Sequence, residues 1–145
     1  MNPAAERDGA AEIVDLRVPC RPEWVALVRL ATAAVANRLQ FSIEDIEDVK
    51  LAVAEACTAV IQHAAHGEFI EVTCEAMPGA LQVRVRDSGH ATGGQSLRAL
   101  DFEQARAAGL GVFLIRTLMD EVSYDVHPDS GTDLRMVKRF AGRPG

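Results

Sequence analysis

Residues 69–87 read FIEVTCEAMPGALQVRVRD, and their rhythm predicts the architecture of the chain. Apolar and polar side chains alternate on both sides of Pro78, Gly79 and Ala80, which is the period of a β-strand. Two such strands joined by so short a turn predict an antiparallel hairpin. Helices are expected to cover one face of this sheet, and the other face is expected to meet solvent or a subunit.

Helical spacing precedes the hairpin. A short strand is predicted at 13–18, and apolar residues then recur at intervals of three and four over 23–39, which predicts an amphipathic helix. A second helix is predicted over 43–64. Ser42 with Asp45 three residues later resembles a capping box at its start.

A loop, a helix and a second hairpin are predicted after the first hairpin. Residues 88–108 have little periodicity and are predicted to form a long loop of the functional kind. A helix is predicted from Gly109, followed by a second hairpin over 122–140. Its last strand carries Arg135, Lys138 and Arg139, which the pattern assigns to an edge kept soluble by charge.

This order of elements predicts an α/β (α+β) fold: a two-layer sandwich of a mostly antiparallel sheet with helices on one face. At 145 residues the chain is long enough for a single core without disulfides or metal. We expect a flexible N-terminus over 1–11, one domain over 12–140 and a tail over 141–145.

Composition and charge exclude several functions. A net charge of −6 gives no attraction to a phosphate backbone, so direct nucleic-acid binding is not expected. Cys20, Cys57 and Cys74 are widely spaced and lack a CxxC motif, which argues against disulfides and zinc and favours a cytoplasmic protein. No signal peptide and no apolar run of membrane-spanning length is found, so export or membrane insertion is not expected.

Three stretches place chemically useful groups at the ends of predicted elements. Glu55 is a carboxylate on an otherwise small and aliphatic helix, Asp87 ends a strand before Gly89, and Gly109 and Gly111 begin a helix. Free amides at a helix start can receive a phosphate, so together these stretches predict a nucleotide pocket. Taken singly, the glycine segments are equally explained as a turn and a flexible joint.

Two common nucleotide-binding motifs are absent. The segment GLGVFL lacks the third glycine of the dinucleotide fingerprint and no strand comes immediately before it. The chain also contains no GxxxxGK[ST] phosphate loop, which excludes an ordinary P-loop NTPase.

The combination nevertheless resembles a known family. The segments PEWVALVRLATAAVANRLQFSIEDIEDVKLAVAEACTAVIQHA, GLGVFLIRTLMDEVSY and GTDLRMVKRF are similar, in order and spacing, to the anti-sigma-factor serine kinases of the RsbW type. These kinases are members of the GHKL superfamily of ATPases, which have the Bergerat (histidine kinase-like) fold. The similarity extends from about residue 12 to residue 140.

The resemblance implies roles for individual residues. Glu55 matches the helix-borne acid that acts as general base toward the attacking hydroxyl. Asp87, with Gly89 beside it, matches the aspartate that accepts a hydrogen bond from the adenine amino group, and Thr132 matches a hydroxyl near the adenine.

The resemblance also identifies 90–108 as an ATP lid. The lid meets the phosphate-binding helix at a segment that matches Gly109, Leu110 and Gly111. Either Arg98 or Arg106 of the lid is a candidate for the terminal phosphate.

One position departs from the family. The family segment usually reads EACTNAVQHAY, and its Asn binds the magnesium ion, whereas this chain reads EACTAVIQHAA and has Ala59 at that position. A methyl group supplies no oxygen ligand, so Mg²⁺ binding is doubtful and ATP binding is expected to be weak.

Three hypotheses therefore compete. The first is an active serine kinase that phosphorylates an anti-anti-sigma partner of the STAS type. The second is an anti-sigma factor that binds a sigma factor and the STAS-domain protein with diminished or lost kinase activity. The third is a structural α/β domain. The resemblance further implies a homodimer, with the first helix and strand contributing to subunit or sigma contacts.

Overall fold

A computed structural model describes residues 12–63, 68–87, 110–127 and 131–139. The predicted flexible N-terminus at 1–11, the lid at 90–108 and the tail at 141–145 lie outside these residues. Gly89 and Gly109 lie outside them as well.

The described elements follow the predicted order. Strand β1 is followed by a short 3₁₀ turn and two helices, then by the hairpin β2–β3, a third helix and the hairpin β4–β5. Their bounds are β1 Glu12–Pro19, the 3₁₀ turn Pro22–Trp24, α1 Val25–Asn37, α2 Ile43–His63, β2 Phe69–Met77, β3 Ala80–Asp87, α3 Leu110–Leu118, β4 Glu121–His127 and β5 Gly131–Arg139.

The five strands form one antiparallel sheet in the order β1-β2-β3-β5-β4. This confirms the predicted fold class. The prediction that the last strand is an edge is wrong, because β5 lies between β3 and β4 and pairs with both. Its charges therefore do not protect a sheet edge.

The central hairpin closes on a two-residue turn. Met77 pairs with Ala80, so Pro78 and Gly79 alone form the connection, one residue shorter than predicted. Gly79 has a φ of 77°, a left-handed conformation that side chains with a Cβ rarely adopt. The glycine is therefore required by the geometry of this turn.

The second helix begins as the sequence predicts. The backbone N–H of Asp45 donates a 3.0 Å hydrogen bond to the Ser42 hydroxyl oxygen, which satisfies one of the free amides of the first turn. Helix α1 packs on β2, α2 on β3, and α3 against α2 and β4.

The sheet has two unlike faces. The helix-covered face is apolar along most of each strand, and its central columns are Leu81, Val83 and Val85 on β3 and Leu134 and Met136 on β5. The open face is the opposite side and carries charged side chains at the alternate positions of the same strands. Cross-strand ion pairs join them, including Arg84 with Asp133 and Arg86 with Glu71.

Candidate functional site

Asp87 and Thr132 lie together at one end of the helix-covered face. The pairing of β3 with β5 ends at Arg86 and Asp133, so Asp87 and Thr132 are the next residues outward on neighbouring strands. Both follow the alternation of the apolar columns and face the helices. Asp87 is 6% exposed and Thr132 is 3% exposed, and they are two of the three buried polar residues in the described chain.

A thiol lies close to this carboxylate. Burial raises the pKa of Cys20, and the negative charge of Asp87 raises it further, which places Cys20 within electrostatic reach of Asp87. A cavity of about 530 Å³ lies beside Cys20 and is lined by Pro19, Cys20, Arg21, Trp24 and Glu68. Among the described residues, none of those predicted to contact nucleotide lines this cavity, and we do not assign the nucleotide to it.

Glu55 and Ala59 occupy one flank of α2. Together with Asp48 and Ala52 they form a stripe with helical spacing, in which Ala52 is buried and the other three are half-buried. The fully buried face of the helix, which includes Val53 and Val60, points toward the sheet.

An ion pair shows which strand this stripe of α2 faces. Asp48 lies 3.6 Å from the ammonium of Lys138 on β5, so the flank that carries Glu55 and Ala59 is directed toward β5. Ala59 lies 11 residues after Asp48, a rise of about 16 Å along the helix. Thr132 lies six residues before Lys138, about 20 Å along β5. Ala59 and Thr132 are thus displaced from this ion pair by comparable lengths of helix and strand.

Helix α3 begins at Leu110, with Gly111 in its first turn. The predicted helix start at Gly109 lies outside the described residues. Just beyond the end of α3, Asp120 N donates a 2.8 Å hydrogen bond to the Val137 carbonyl near the end of β5.

The described residues do not fit a magnesium ion. They contain no group of three or more His, Cys, Asp or Glu side chains that could hold a metal. On the α2 stripe, Ala59 offers no oxygen, and magnesium needs several oxygen ligands in addition to those of a phosphate. We therefore derive no chemical step through this ion.

Sequence reasoning missed Lys138. We interpreted it as a solubilising charge, but only 14% of its side chain is exposed and it contacts both α2 and α3. The seven-residue interval between Asp48 and Glu55 was visible in the sequence, but no local pattern indicates that Lys138 pairs with Asp48.

The part of the chain that the structure describes contains no helix long and apolar enough to cross a membrane.

Comparison with known proteins identifies the family to which the chain is similar. The profile of a family described as histidine kinase-like ATPase domain matches residues 18–138. A serine-protein kinase RsbW from Halalkalibacterium halodurans is 38% identical over 136 aligned residues, covering 88% of this chain and 83% of that protein. A serine-protein kinase RsbW from Bacillus velezensis is 34% identical over 144 aligned residues, covering 92% and 89%.

Two solved structures share the fold. The RsbU and RsbW domains of a Mycobacterium tuberculosis protein match with a TM-score of 0.65 at 17% identity, covering 88% of this chain. This chain spans 32% of that longer chain. The SiaB–SiaC complex from Pseudomonas aeruginosa matches with a TM-score of 0.64 at 19% identity, covering 93% and 94% of the two chains. At these identities the likeness concerns the fold.

Proposed function

We propose, because this chain belongs to the histidine kinase-like ATPase family and within it to the RsbW-type serine-protein kinases, that it is a partner-switching anti-sigma factor. It binds a sigma factor and exchanges it for an anti-anti-sigma STAS-domain protein. Its nucleotide pocket retains the groups for adenine, while its kinase activity is diminished or lost. The observation that carries this proposal is Ala59, half-buried on the same flank of α2 as Glu55.

The adenine end of the pocket is supported by the placement of Asp87 beside Thr132 at one end of the helix-covered face. A carboxylate accepts charge-assisted hydrogen bonds, which suits Asp87 to an adenine amino group. The neighbouring Thr132 hydroxyl adds a donor and an acceptor. By resemblance, these two side chains bind the adenine of ATP, with Gly89 beside them.

The phosphate end combines Glu55 with the start of α3. Helix amides near Leu110 and Gly111 are suited to phosphate oxygens, together with Gly109. In the kinase reaction the serine oxygen bonds to the γ-phosphorus and the bond to the bridging oxygen breaks. ADP leaves, and Glu55 takes the hydroxyl proton. Without an oxygen ligand at Ala59, the charge that develops on the phosphates is poorly neutralised, which slows this step.

A protein-binding surface is supported by exposed apolar side chains on α1 and on the 3₁₀ turn before it. Trp24, Leu27 and Leu30 recur at intervals of three residues, and Leu30 is 67% exposed. Ile13 and Val14 on the edge strand β1 are exposed as well. We assign this region to subunit contacts in a homodimer or to the sigma factor.

An active kinase is the second candidate. It is favoured by the retained Glu55, Asp87 and Thr132 and by the relatives named serine-protein kinase at 34–38% identity. In that case another group replaces the missing magnesium ligand.

A phosphoryl-transfer assay separates the two candidates. The purified chain is incubated with γ-labelled ATP, magnesium and the STAS-domain protein that it retains in a pull-down. We expect slow transfer by the natural chain and a rate at least about tenfold higher in Ala59→Asn, because Asn supplies an oxygen ligand.

Thr58→Asn is the matched control, since it adds the same amide one residue away at an exposed position of α2. Its rate should equal that of the natural chain. Fast transfer by the natural chain, with no gain in Ala59→Asn, would establish the active kinase instead.

A further inference from the structure

We propose that Lys138 is a positioning residue that holds the C-terminal end of α3 against β5 and α2, and thereby keeps the N-terminal end of α3 directed at the nucleotide phosphates. The inference rests on the proposed function, because the phosphate role of α3 belongs to it. The contacts of Lys138 themselves do not depend on that role.

Lys138 joins three elements. Its Nζ donates a 2.7 Å hydrogen bond to the Leu118 carbonyl oxygen at the end of α3 and lies 3.6 Å from Asp48 Oδ2 on α2. Its own backbone is part of β5, where it pairs with Leu81 of β3. One ammonium group therefore links both helices of the candidate site to the sheet.

Adjacent backbone contacts strengthen the same junction. Asp120 N donates to the Val137 carbonyl at 2.8 Å, and Arg139 N donates to Asp120 Oδ2 at 2.6 Å. Residues on both sides of Lys138 thus bind Asp120, which lies two positions after the end of α3. The junction lies at the opposite end of β5 from Thr132.

Electrostatics explain why a cation occupies this position. The last four carbonyls of a helix lack partners within the helix, and a positive charge there also interacts favourably with the helix dipole. Burying an ammonium is unfavourable unless it is paired, and Lys138 gains both a carbonyl and a carboxylate. A lysine that served solubility alone would extend into water.

Because α3 is several turns long, a small tilt at this junction moves the end of the helix that is proposed to bind phosphate. Its nine residues span about 13 Å, so a tilt of about 10° around the C-terminal end moves the first amides by about 2 Å. Displacements near 1 Å in a catalytic or binding constellation can cost about a hundredfold in rate. Asp48 lies on the flank of α2 that carries Glu55, so Lys138 also relates α3 to the proposed base.

The test compares ATP with adenosine in Lys138→Met, using magnesium-free calorimetry on the full chain. Because Lys138 acts on the phosphate end only, ATP affinity should fall at least about tenfold while adenosine affinity stays within about twofold. Lys138→Arg retains the cation and should restore ATP affinity. Lys50→Met removes a lysine from a surface pair with Glu47 on α2 and should leave both affinities unchanged.

Amide hydrogen exchange supplies a second reading that needs no ligand. In Lys138→Met the amides of 113–118 should exchange at least about tenfold faster, while those of 28–36 in α1 keep their rates. Equal loss of ATP and adenosine affinity, or unchanged exchange in α3, would overturn the positioning role. If the natural chain binds neither ATP nor adenosine, the proposed nucleotide function fails, and exchange in α3 still decides whether Lys138 anchors the helix.

Discussion

The two faces of the sheet accommodate polar side chains in different ways. On the open face, Arg84 pairs with Asp133 at 2.6 Å and Arg86 with Glu71 at 3.2 Å, all four partly exposed to water. On the helix-covered face the apolar columns end in polar side chains: Asp87 and Thr132 are buried at one end, and Lys138 of β5 contacts α2 and α3 at the other.

The difference separates stability from function. Ion pairs across the strands join the charged groups of the open face, while the buried Arg86 Nε has no hydrogen-bond partner among the described residues. Asp87 and Thr132 instead lie together at one end of the two apolar columns, and the family resemblance assigns both residues to the adenine. This placement is the basis on which we propose the nucleotide site at this end of the helix-covered face.

The largest effect, on the free energy of unfolding, is expected for Leu134 and Arg135, neighbours on β5 that point to opposite faces. Leu134→Ala opens a cavity in the helix-covered face and should lower the free energy of unfolding by about 2–5 kcal/mol. Arg135→Ala, on the open face, should change it by no more than about 0.5 kcal/mol. Urea denaturation measures both, and similar losses would contradict the division between the faces.

The next effect concerns ligand binding. Asp87→Asn keeps the size of the side chain but removes the charge that strengthens a hydrogen bond from the adenine amino group. ATP affinity should fall about ten- to a hundredfold in calorimetry. Asp133→Asn is the control on the open face and should bind ATP as the natural chain does. Equal affinities in the two variants would remove Asp87 from the site.

A smaller effect is expected for the open-face pairs. Arg84→Met removes the ion pair with Asp133 and should cost no more than about 1 kcal/mol of unfolding free energy, because both side chains remain partly exposed. The cost should shrink at high salt, where the pair is screened. A loss of unfolding free energy as large as that of Leu134→Ala would mean that this open-face ion pair stabilises the fold as much as a core residue does.

The smallest expected effect concerns the rates at which the three cysteines react with a thiol reagent. Burial raises the pKa of Cys57 to about 12 and raises the pKa of Cys74, so both thiols stay protonated at pH 8. Cys20 is half-buried and its pKa is raised as well. Iodoacetamide should label Cys20 slowly and the other two only after unfolding, and labelling should accelerate as the pH rises. Mass spectrometry of the native chain that found Cys57 labelled first would contradict this order.

Local features of the fold were predictable from the sequence. The Ser42 cap and the Pro78-Gly79 turn depend on residues within a few positions of one another. The alternation that places Asp87 on the same face as Val85 is equally local. The hairpin of β4 with β5 was predictable for the same reason, but the pairing of β5 with β3 was not, because β3 is distant from β5 in sequence.

The same distinction applies to the candidate site, where the residue types were predictable and their placement was not. The residue types at Glu55, Ala59, Asp87 and Thr132 were available from the sequence, and so was the resemblance that links them. The placement of Asp87 beside Thr132 depends on the register of β3 with β5, and the direction of the flank that carries Glu55 and Ala59 depends on the rotation of α2 about its axis. Neither the register nor the rotation can be predicted from any one segment of the sequence.

By itself, the sequence determined the helices and strands, the resemblance to the family and the presence of an alanine at position 59, since periodicity, capping and residue identity are local properties. Only the tertiary structure decided that β5 lies inside the sheet and that Lys138 touches Asp48 and Leu118. Those contacts join residues up to 90 positions apart, from Asp48 to Lys138, and they form because burying the helix-covered face brings α2, α3 and β5 together.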